Sequence, residues 1–262
     1  MALPTIAFLT DFGTRDHYVG AMKGAALTVC PDAILVDITH EIAPQDILGG
    51  AVALAACFKY FPPGTIFVGV VDPGVGSARR GIAASAADYR FIAPDNGLLT
   101  LAFQDAPPDI VVELANREYA RTEVSRTFEG RDRFAPAAAW LACGTAIEAL
   151  GPRLDTWHVL DVPVAEAAPD EVRGEVLVTD RFGNLITNIG RQAVTALAAG
   201  SAPIVKVGRR RTRLVQTYAD VDPGEVCALF GSSDRLEIAV NGGSASARLG
   251  VARGARVVVT RA

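Results

Sequence analysis

Short apolar runs alternate with alanine-rich segments of helical length in the N-terminal part of the chain. The apolar runs are TIAFLT at Thr5–Thr10, AILVDI at 33–38 and TIFVGVV at 65–71, and the segments between them are Tyr18–Val29 and 46–60. Strands that are apolar along their whole length are typical of parallel sheets covered on both faces. The order strand, helix, strand, helix, strand therefore predicts an α/β domain whose sheet is mostly parallel, with right-handed crossovers.

Polar loops follow each of the three predicted strands. They are TDFGTRD at 10–16, DITHEIAPQD at 37–46 and VDPGVGSARR at 71–80. Ligands of open α/β sheets bind beyond the carboxyl ends of the strands. We therefore expect the three loops to form one site.

The C-terminal part of the chain has a different pattern. A helix-like segment at 134–150 precedes DVPVAEAAPD at 161–170, which is rich in Pro, Ala and acidic residues and indicates a linker. Seven short strand-like runs separated by Gly and Asp turns follow it, and they predict a small β-barrel or sandwich. We therefore divide the 262 residues into an α/β domain at 1–165 and a smaller β-domain at 171–262.

Composition and motif searches exclude several classes of protein. The formal net charge of -4 provides no basic surface for nucleic acid or a membrane. The four cysteines are far apart and form no CxxC, and the N-terminus lacks the basic region and cleavage pattern of an export signal, so we expect a cytoplasmic protein with reduced thiols. Three histidines, without HExxH or paired cysteines, argue against a zinc site, and the absence of G-x-S-x-G argues against a triad hydrolase.

The loop VDPGVGSARR has two glycines but not the pattern of a phosphate loop. A Walker loop requires G-x-x-x-x-G-K-[ST], a dinucleotide loop requires three glycines opening a helix, and Pro73 removes one backbone donor. The loop does place Asp72 seven residues before Arg79. On the sequence alone, this spacing is compatible with a surface ion pair across a turn or with a small polar site.

Two other short motifs have ligand-binding and structural interpretations of similar weight. Asp11, just past the first strand, is placed to accept hydrogen bonds from a ribose diol, or to cap the following helix. In DRFGN, Asp180, Phe182 and Asn184 offer an acid, an aromatic face and an amide that suit an ammonium and a purine, although a β-turn explains the same residues.

The ordered set of motifs resembles the S-adenosyl-L-methionine (SAM) hydroxide adenosyltransferases, which are SAM hydrolases related to the fluorinase and chlorinase. The motifs that carry the resemblance are TDFG, DITHEI, VDPGVGS with Arg79, APDNGLL, TFEGRDRFAPAAA, DRFGNLITNI and GSSDRLEIAVNGGSA. The resemblance implies an α/β N-terminal domain, a C-terminal β-barrel, and a homotrimer with sites between the N-domain of one subunit and the C-domain of the next. It implies SAM as a substrate and no cofactor.

The resemblance also implies a role for particular residues. Asp11 matches the acid that holds the ribose hydroxyls, and Asp180 matches the acid at the methionine end. Phe182 and Asn184 match residues around the adenosine. The residues that match the strand closing over the ligand are Ser232, Glu237 and the backbone of Val240.

The resemblance assigns Asp72 and Arg79 to the set of Asp, Arg and His that holds hydroxide. Halogenating relatives lack the Asp of this set. The third member differs, because this chain reads TFEGRD with Glu129 where many relatives have histidine. Glu129 then either shares a proton with Asp72, pairs with Arg79 and weakens the hold on hydroxide, or forms an ion pair with Arg131 or Arg133. The first arrangement keeps a base available.

The leading hypothesis from the sequence is hydrolysis of SAM to adenosine and methionine. A neutral methionine leaving group needs no general acid, so the site needs a positioned and activated water. A halogenase is disfavoured because the carboxylate of Asp72 would repel a halide. A nucleoside-binding or SAM-binding protein with little turnover is the alternative that the Glu129 substitution motivates.

Overall fold

The computed structural model of the chain describes residues 3–198 and 202–261. The chain divides into two compact units, Met1–Leu160 and Asp161–Ala262. The segment 161–170, interpreted above as a linker, is part of the second unit, because residues 166 and 167 form a short strand there.

The first unit contains a six-stranded sheet whose order is β2-β1-β3-β5-β4-β6. Strands β2, β1, β3 and β5 are parallel neighbours, whereas β4 runs antiparallel to both β5 and β6, which confirms a mostly parallel sheet. The strands are β1 (Thr5–Thr10), β2 (Ile34–Thr39), β3 (Ile66–Val70), β4 (Gly81–Ala86), β5 (Tyr89–Pro94) and β6 (Pro108–Glu113).

Helices cover both faces of this sheet, as the fully apolar strands predict. They are α1 (Tyr18–Val29), α2 (Ile47–Cys57), α3 (Thr100–Asp105) and α4 (Ala135–Ala142). Alternate residues of β1 enter opposite cores: Phe8 packs with Met22 of α1 and Leu141 of α4, and Leu9 packs with Leu54 of α2. The sheet is therefore the middle of three layers.

The helix expected at 134–150 is shorter than predicted. A π-helical turn at Gly130–Phe134 leads directly into α4, which ends at Ala142, and a separate 3-10 turn follows at Ile147–Leu150. Gly144 adopts φ +95°, a conformation that terminates a helix and that residues with a Cβ rarely adopt.

The second unit is an antiparallel, barrel-like sheet. Its order is β11-β10-β14-β8-β9-β13-β12, with β7 paired to β8, and a bridge between Leu214 and Ala228 brings its two edges together. The barrel alternative is therefore the one observed, and the sheet is nearly closed. Its strands are β7 (Glu166–Ala167), β8 (Glu171–Thr179), β9 (Leu185–Gly190), β10 (Ile204–Val207), β11 (Arg210–Arg213), β12 (Val226–Phe230), β13 (Arg235–Val240) and β14 (Arg256–Thr260), and its helices are α5 (Arg191–Ala198) and α6 (Ala245–Leu249).

Across residues 3–198 and 202–261, none of the helices combines the length and the apolar character that crossing a membrane requires.

Candidate active site

The loops after β1, β2 and β3 emerge at one edge of the first unit's sheet, as expected, because these strands are parallel neighbours. The loop after β5 emerges at the same edge. Its Asn96 donates a hydrogen bond from Nδ2 to the carbonyl of Val71 over 2.8 Å, which ties it to the loop that carries Asp72. Four loops therefore define the candidate site of this unit.

Asp72 and Arg79 form a two-point ion pair inside the loop that follows β3. Arg79 Nε donates to Asp72 Oδ1 over 2.8 Å, and Arg79 Nη2 donates to Asp72 Oδ2. Only 5% of the Asp72 side chain and 10% of the Arg79 side chain are exposed. The alternative of a solvated surface pair is therefore wrong, since a buried bidentate pair fixes the orientation of both groups.

Glu129 joins this pair and also contacts a second arginine. Its Oε2 accepts a hydrogen bond from Arg79 Nη2, and its Oε1 accepts one from Arg133 Nη1 over 2.9 Å. Two of the sequence alternatives, pairing with Arg79 and pairing with Arg133, are therefore both observed. Arg131 instead binds Asp132, with 2.6 Å between Nε and Oδ1.

The cluster of Asp72, Arg79, Glu129 and Arg133 contains two carboxylates and two guanidinium groups. Arg133 is placed to compensate the charge of Glu129, so Arg79 is not the sole counter-ion for both carboxylates. A cavity of about 930 Å³ is lined in part by Glu129 and Arg133. The carboxylate of Glu129 thus lies between the buried pair and a polar cavity.

The local backbone explains how these side chains reach one another. The π-helical turn at Gly130–Phe134, in which the Ala135 N–H donates to the Gly130 carbonyl, separates Glu129 from α4 and carries Arg133. Its last residue, Phe134, lies under Arg79, with 5.4 Å between the guanidinium carbon and the ring centre. Gly76 has φ +79°, and a Cβ there would lie 2.6 Å from the carbonyl oxygen of Arg126. A residue with a side chain would therefore disturb the loop that holds Asp72.

Asp11 lies at the start of the loop after β1 and does not cap α1. The residue at the N-cap position of α1 is His17, whereas Asp11 Oδ2 accepts a hydrogen bond from the Gln45 N–H over 2.7 Å. The capping interpretation of Asp11 is therefore wrong. Asp11 is partly exposed at the loop edge, where its other oxygen, Oδ1, faces no partner among the described contacts and can accept from a ligand hydroxyl.

The DRFGN motif of the second unit forms a tight turn before β9. Asp180 Oδ1 accepts hydrogen bonds from the N–H groups of Phe182 and Asn184, over 2.9 and 2.8 Å, and Asp180 Oδ2 accepts one from Asn184 Nδ2 over 2.9 Å. Asn184 is buried, whereas Phe182 is 77% exposed. The turn interpretation is thus observed, and it leaves an exposed aromatic face beside a fixed carboxylate.

Glu237 on β13 is a buried carboxylate whose hydrogen-bond partner is a phenol. Tyr218 Oη donates to Glu237 Oε1 over 2.6 Å, and Glu237 is 5% exposed. Burial raises the pKa of Glu237, the hydrogen bond from Tyr218 opposes this rise, and the charge of Asp180 adds to it. Burial and Glu237 likewise raise the pKa of Tyr218.

The structure brings only part of the second unit's candidate set together. Val240 lies at the end of β13 and pairs through its backbone with Gly243, close to Ser244, whose side chain packs on Gly183 of the DRFGN turn. Ser232 lies in the exposed turn before β13, next to Gly231. A Cβ on Gly231 would lie 2.6 Å from Glu237 Oε2, so this glycine leaves room for the carboxylate.

Sequence reasoning left one residue of these clusters, Arg133, undecided and missed another, Tyr218. Arg133 was considered only as one possible partner of Glu129, although their i,i+4 spacing on a helical segment favours an ion pair. Tyr218 was not singled out, because nothing in the local sequence relates it to Glu237. In the part of the chain that the structure describes, no group of three or more His, Cys, Asp or Glu side chains is arranged to hold a metal ion.

Comparison with known proteins adds the following findings. Residues 6–151 match the family model described as SAM hydroxide adenosyltransferase N-terminal domain, and residues 174–258 match that of the C-terminal domain. Proteins named (R)-S-adenosyl-L-methionine hydrolase from Salinispora tropica and Thermus thermophilus are 39% and 41% identical to this chain, covering 98% and 95% of it and 98% and 96% of their own lengths. A protein named fluorinase from an Actinoplanes species is 29% identical over 99% of this chain and 98% of its own. The crystal structure of an uncharacterized conserved protein from Thermotoga maritima superposes with a TM-score of 0.91 at 39% identity, covering 98% of this chain and 100% of that one.

Proposed function

The chain belongs to the SAM hydroxide adenosyltransferase family, and we propose that it hydrolyses SAM to adenosine and L-methionine. The observation that carries this proposal is the buried, two-point pair of Asp72 and Arg79 at the carboxyl edge of the sheet. A pair of this kind presents an acceptor and a cation in fixed positions, which is what the activation of a water molecule requires.

In the proposed reaction, the oxygen of a water molecule attacks C5' of the substrate in line with the bond from C5' to sulfur. The new bond joins the water oxygen to C5', the bond to sulfur breaks, and its electron pair remains on the sulfur of methionine, which leaves as a neutral thioether. One proton of the water stays on the 5'-hydroxyl of adenosine, and the other passes to Asp72 and then to solvent. Arg79 stabilises the negative charge that develops on the attacking oxygen.

Glu129 modulates this pair in the proposal. Because Arg79 Nη2 donates to both carboxylates, Glu129 competes with the nucleophile for part of the positive charge of Arg79. Arg133 limits that competition, because it holds the other oxygen of Glu129. The chain is therefore expected to be active, at a lower rate than a form in which residue 129 is not a carboxylate.

The remaining candidate residues bind the substrate in the proposal. Asp11 accepts from the ribose hydroxyls, Asn184 and Phe182 contact the adenine, and Asp180 lies at the methionine end. Ser232, Glu237 and the backbone of Val240 close over the ligand. We further propose a cytoplasmic homotrimer whose sites combine the first unit of one subunit with the second unit of the next, and catalysis without a cofactor.

Incubation of the purified protein with SAM in water enriched in ¹⁸O tests the proposal. Chromatography and mass spectrometry should find adenosine and methionine in equal amounts, with ¹⁸O in the adenosine 5'-hydroxyl. Adenosine without the label would exclude attack by water at C5'. Absence of turnover, with adenosine or SAM still bound, would identify a binding protein instead.

A parallel incubation with chloride or fluoride distinguishes hydrolysis from halogenation. The carboxylates of Asp72 and Glu129 would repel a halide from the place of the nucleophile. We therefore expect no 5'-halo-5'-deoxyadenosine at any halide concentration. Formation of that product would overturn the assignment of Asp72 to water.

A further inference from the structure

A chain of hydrogen bonds runs beneath the loop that carries Asp11, through groups that the proposed reaction does not use. Thr10 Oγ1 lies 2.9 Å from His40 Nδ1, His40 Nε2 lies 2.9 Å from Asp37 Oδ1, and Lys23 Nζ donates to Asp37 Oδ2 over 2.6 Å. Thr10 is fully buried and His40 is 4% exposed. The chain joins the ends of β1 and β2 to α1.

The chemistry of the carboxylate fixes the direction of the bond between His40 and Asp37. A carboxylate only accepts, so His40 Nε2 carries a proton and donates it to Asp37. Burial tends to raise the pKa of Asp37, but hydrogen bonds from Lys23 and His40 outweigh it and hold that pKa below its usual value. The tautomer that carries its proton on Nε2 has a lone pair on Nδ1, and this lone pair can accept from the Thr10 hydroxyl.

The Thr10 oxygen then has a lone pair that faces the loop. It accepts a hydrogen bond over 3.2 Å from the N–H of Phe12, the residue that follows Asp11. A second contact reinforces the first, because the Gly13 N–H donates to the His40 carbonyl over 2.7 Å. Asp11 is thus followed by two residues whose backbone N–H groups are bound by Thr10 and His40.

The arrangement of Asp37, His40 and Thr10 has the connectivity of a hydrolytic triad, but it does not act as one. Thr10 has no exposed surface, so a substrate cannot reach its hydroxyl. Its oxygen is also engaged by the Phe12 N–H. The group therefore acts on the loop and not on a substrate.

We propose that His40 is a positioning residue for Asp11: its Nδ1 orients the Thr10 hydroxyl, which holds the turn from which Asp11 reaches the ribose of the nucleoside. This inference rests on the proposed function for the identity of the ligand. The positioning itself depends on the hydrogen bonds within the first unit. Orienting a carboxylate before the ligand arrives lowers the entropic cost of binding.

Two substitutions at His40 separate its two hydrogen bonds. His40→Asn places an amide near the position of Nδ1 and keeps a partner for Thr10, whereas His40→Gln places its amide near the position of Nε2 and keeps the partner for Asp37. Thr10→Val removes the hydroxyl at nearly constant volume, and Thr10→Ser keeps it. Asp11 and the main-chain bond from Gly13 to His40 are present in all four variants.

We expect His40→Gln and Thr10→Val to raise the dissociation constant of adenosine and the KM for SAM about five- to tenfold, with kcat changed less than twofold. His40→Asn and Thr10→Ser should stay within twofold of the parent in both constants. A purely structural role would instead lower the melting temperature, and the KM values would not separate His40→Gln and Thr10→Val from His40→Asn and Thr10→Ser. Equal adenosine affinity in His40→Gln and His40→Asn would overturn the proposal.

Amide hydrogen exchange of the peptide that contains Phe12 and Gly13 provides a measurement independent of turnover. Exchange should be faster in His40→Gln and Thr10→Val than in His40→Asn and Thr10→Ser. If the parent neither binds nor converts SAM, the proposed function fails, while this exchange pattern still reports whether His40 holds the turn. Identical exchange in all four variants would overturn the positioning role.

Discussion

The carboxylates of the two units are compensated in different ways. In the first unit, Asp72 and Glu129 are each held by an arginine, through Arg79 and Arg133. In the second unit, Asp180 is held by backbone N–H groups and the amide of Asn184, and Glu237 by the hydroxyl of Tyr218. Among the described residues, no Lys or Arg forms a salt bridge with Asp180 or Glu237.

This difference suits two different tasks. A charge-balanced cluster keeps its geometry when no ligand is bound, which favours a fixed site for a neutral water molecule. A buried carboxylate without a cation, such as that of Glu237, is costly unless a positive group arrives, and SAM carries both an ammonium and a sulfonium. We therefore expect variants of Asp72 and Glu129 to change the rate of reaction, and variants of the second unit's candidate residues to change binding.

The largest expected effect is the loss of reaction in Asp72→Ala. Adenosine formation should fall at least about a hundredfold, because the variant removes the proposed proton acceptor. The adenosine dissociation constant should stay within about twofold. The fold should persist, since Arg79 keeps Glu129 as its partner.

Asp105→Asn is the matched control for Asp72→Ala, because Asp105 pairs with Lys59 at the surface. It should have the parent's turnover. Undiminished turnover in Asp72→Ala, measured by chromatography of adenosine, would remove Asp72 from the mechanism.

The next largest effect is the loss of nucleoside affinity in Asn184→Ala and Asp11→Ala. Each should weaken adenosine binding by about 1–3 kcal/mol, the usual cost of leaving buried polar groups unmatched. Isothermal titration calorimetry measures this change directly. Asn188→Ala is the control on β9, the strand that follows the turn of Asn184, because the Asn188 amide contacts the backbone of Glu175 and Pro163. If neither Asn184→Ala nor Asp11→Ala changes the affinity, the nucleoside binds elsewhere.

A smaller effect is expected from Glu129→His. It removes the carboxylate that shares Arg79 with Asp72, so single-turnover rates should rise about three- to tenfold. Glu129→Gln should give an intermediate rate, because its amide oxygen is a weaker competitor for Arg79. Equal rates in the three proteins would show that Glu129 is bound to Arg133 without influence on the nucleophile.

The smallest effect concerns stability in Glu237→Gln. Because the pKa of Glu237 is raised in the folded protein, the folded state binds more protons than the unfolded state, and stability is lost as pH rises above the ordinary Glu range. Glu237→Gln keeps an acceptor for Tyr218 and should raise the melting temperature of the ligand-free protein at pH 8 by about 2–4 °C.

The difference in melting temperature between parent and Glu237→Gln should shrink as the pH falls to about 4, where Glu237 of the parent is protonated. Scanning calorimetry from pH 4 to about pH 8 checks this trend. A difference in melting temperature that stays constant across that range would indicate a packing effect. It would contradict the view that Glu237 carries an uncompensated charge in the second unit.

The apolar and alanine-rich runs of the sequence predicted those strands and helices whose buried residues recur along the run. Strand β1 and helix α1 have the bounds expected from the sequence, Thr5–Thr10 and Tyr18–Val29. Strand β4 has the sequence GIAASA, whose small residues have weak β-propensity, and it was not predicted. Its place depends on pairing with β5 and β6 on either side.

The candidate site was predictable to the extent that its contacts are local. Asp72 and Arg79 belong to one loop, so their spacing suggested a pair. The bond from Arg79 to Glu129 spans fifty residues, and the sequence offered four possible partners for Glu129 without a means to choose among them. Tyr218 and Glu237 come together only when the strands of the second unit are in register.

The π-helical turn at Gly130–Phe134 has a consequence for how this region tolerates change in length. A π-turn contains one residue more than the α-helical turn that would otherwise open α4. Deleting one residue from it would restore α-helical geometry and rotate Glu129 about 100° around the helix axis relative to the buried face of α4. The side chain at position 129 would then leave Arg79 while the packing of α4 stayed in place, so the chemistry of this position is set by helical phase as well as by residue type.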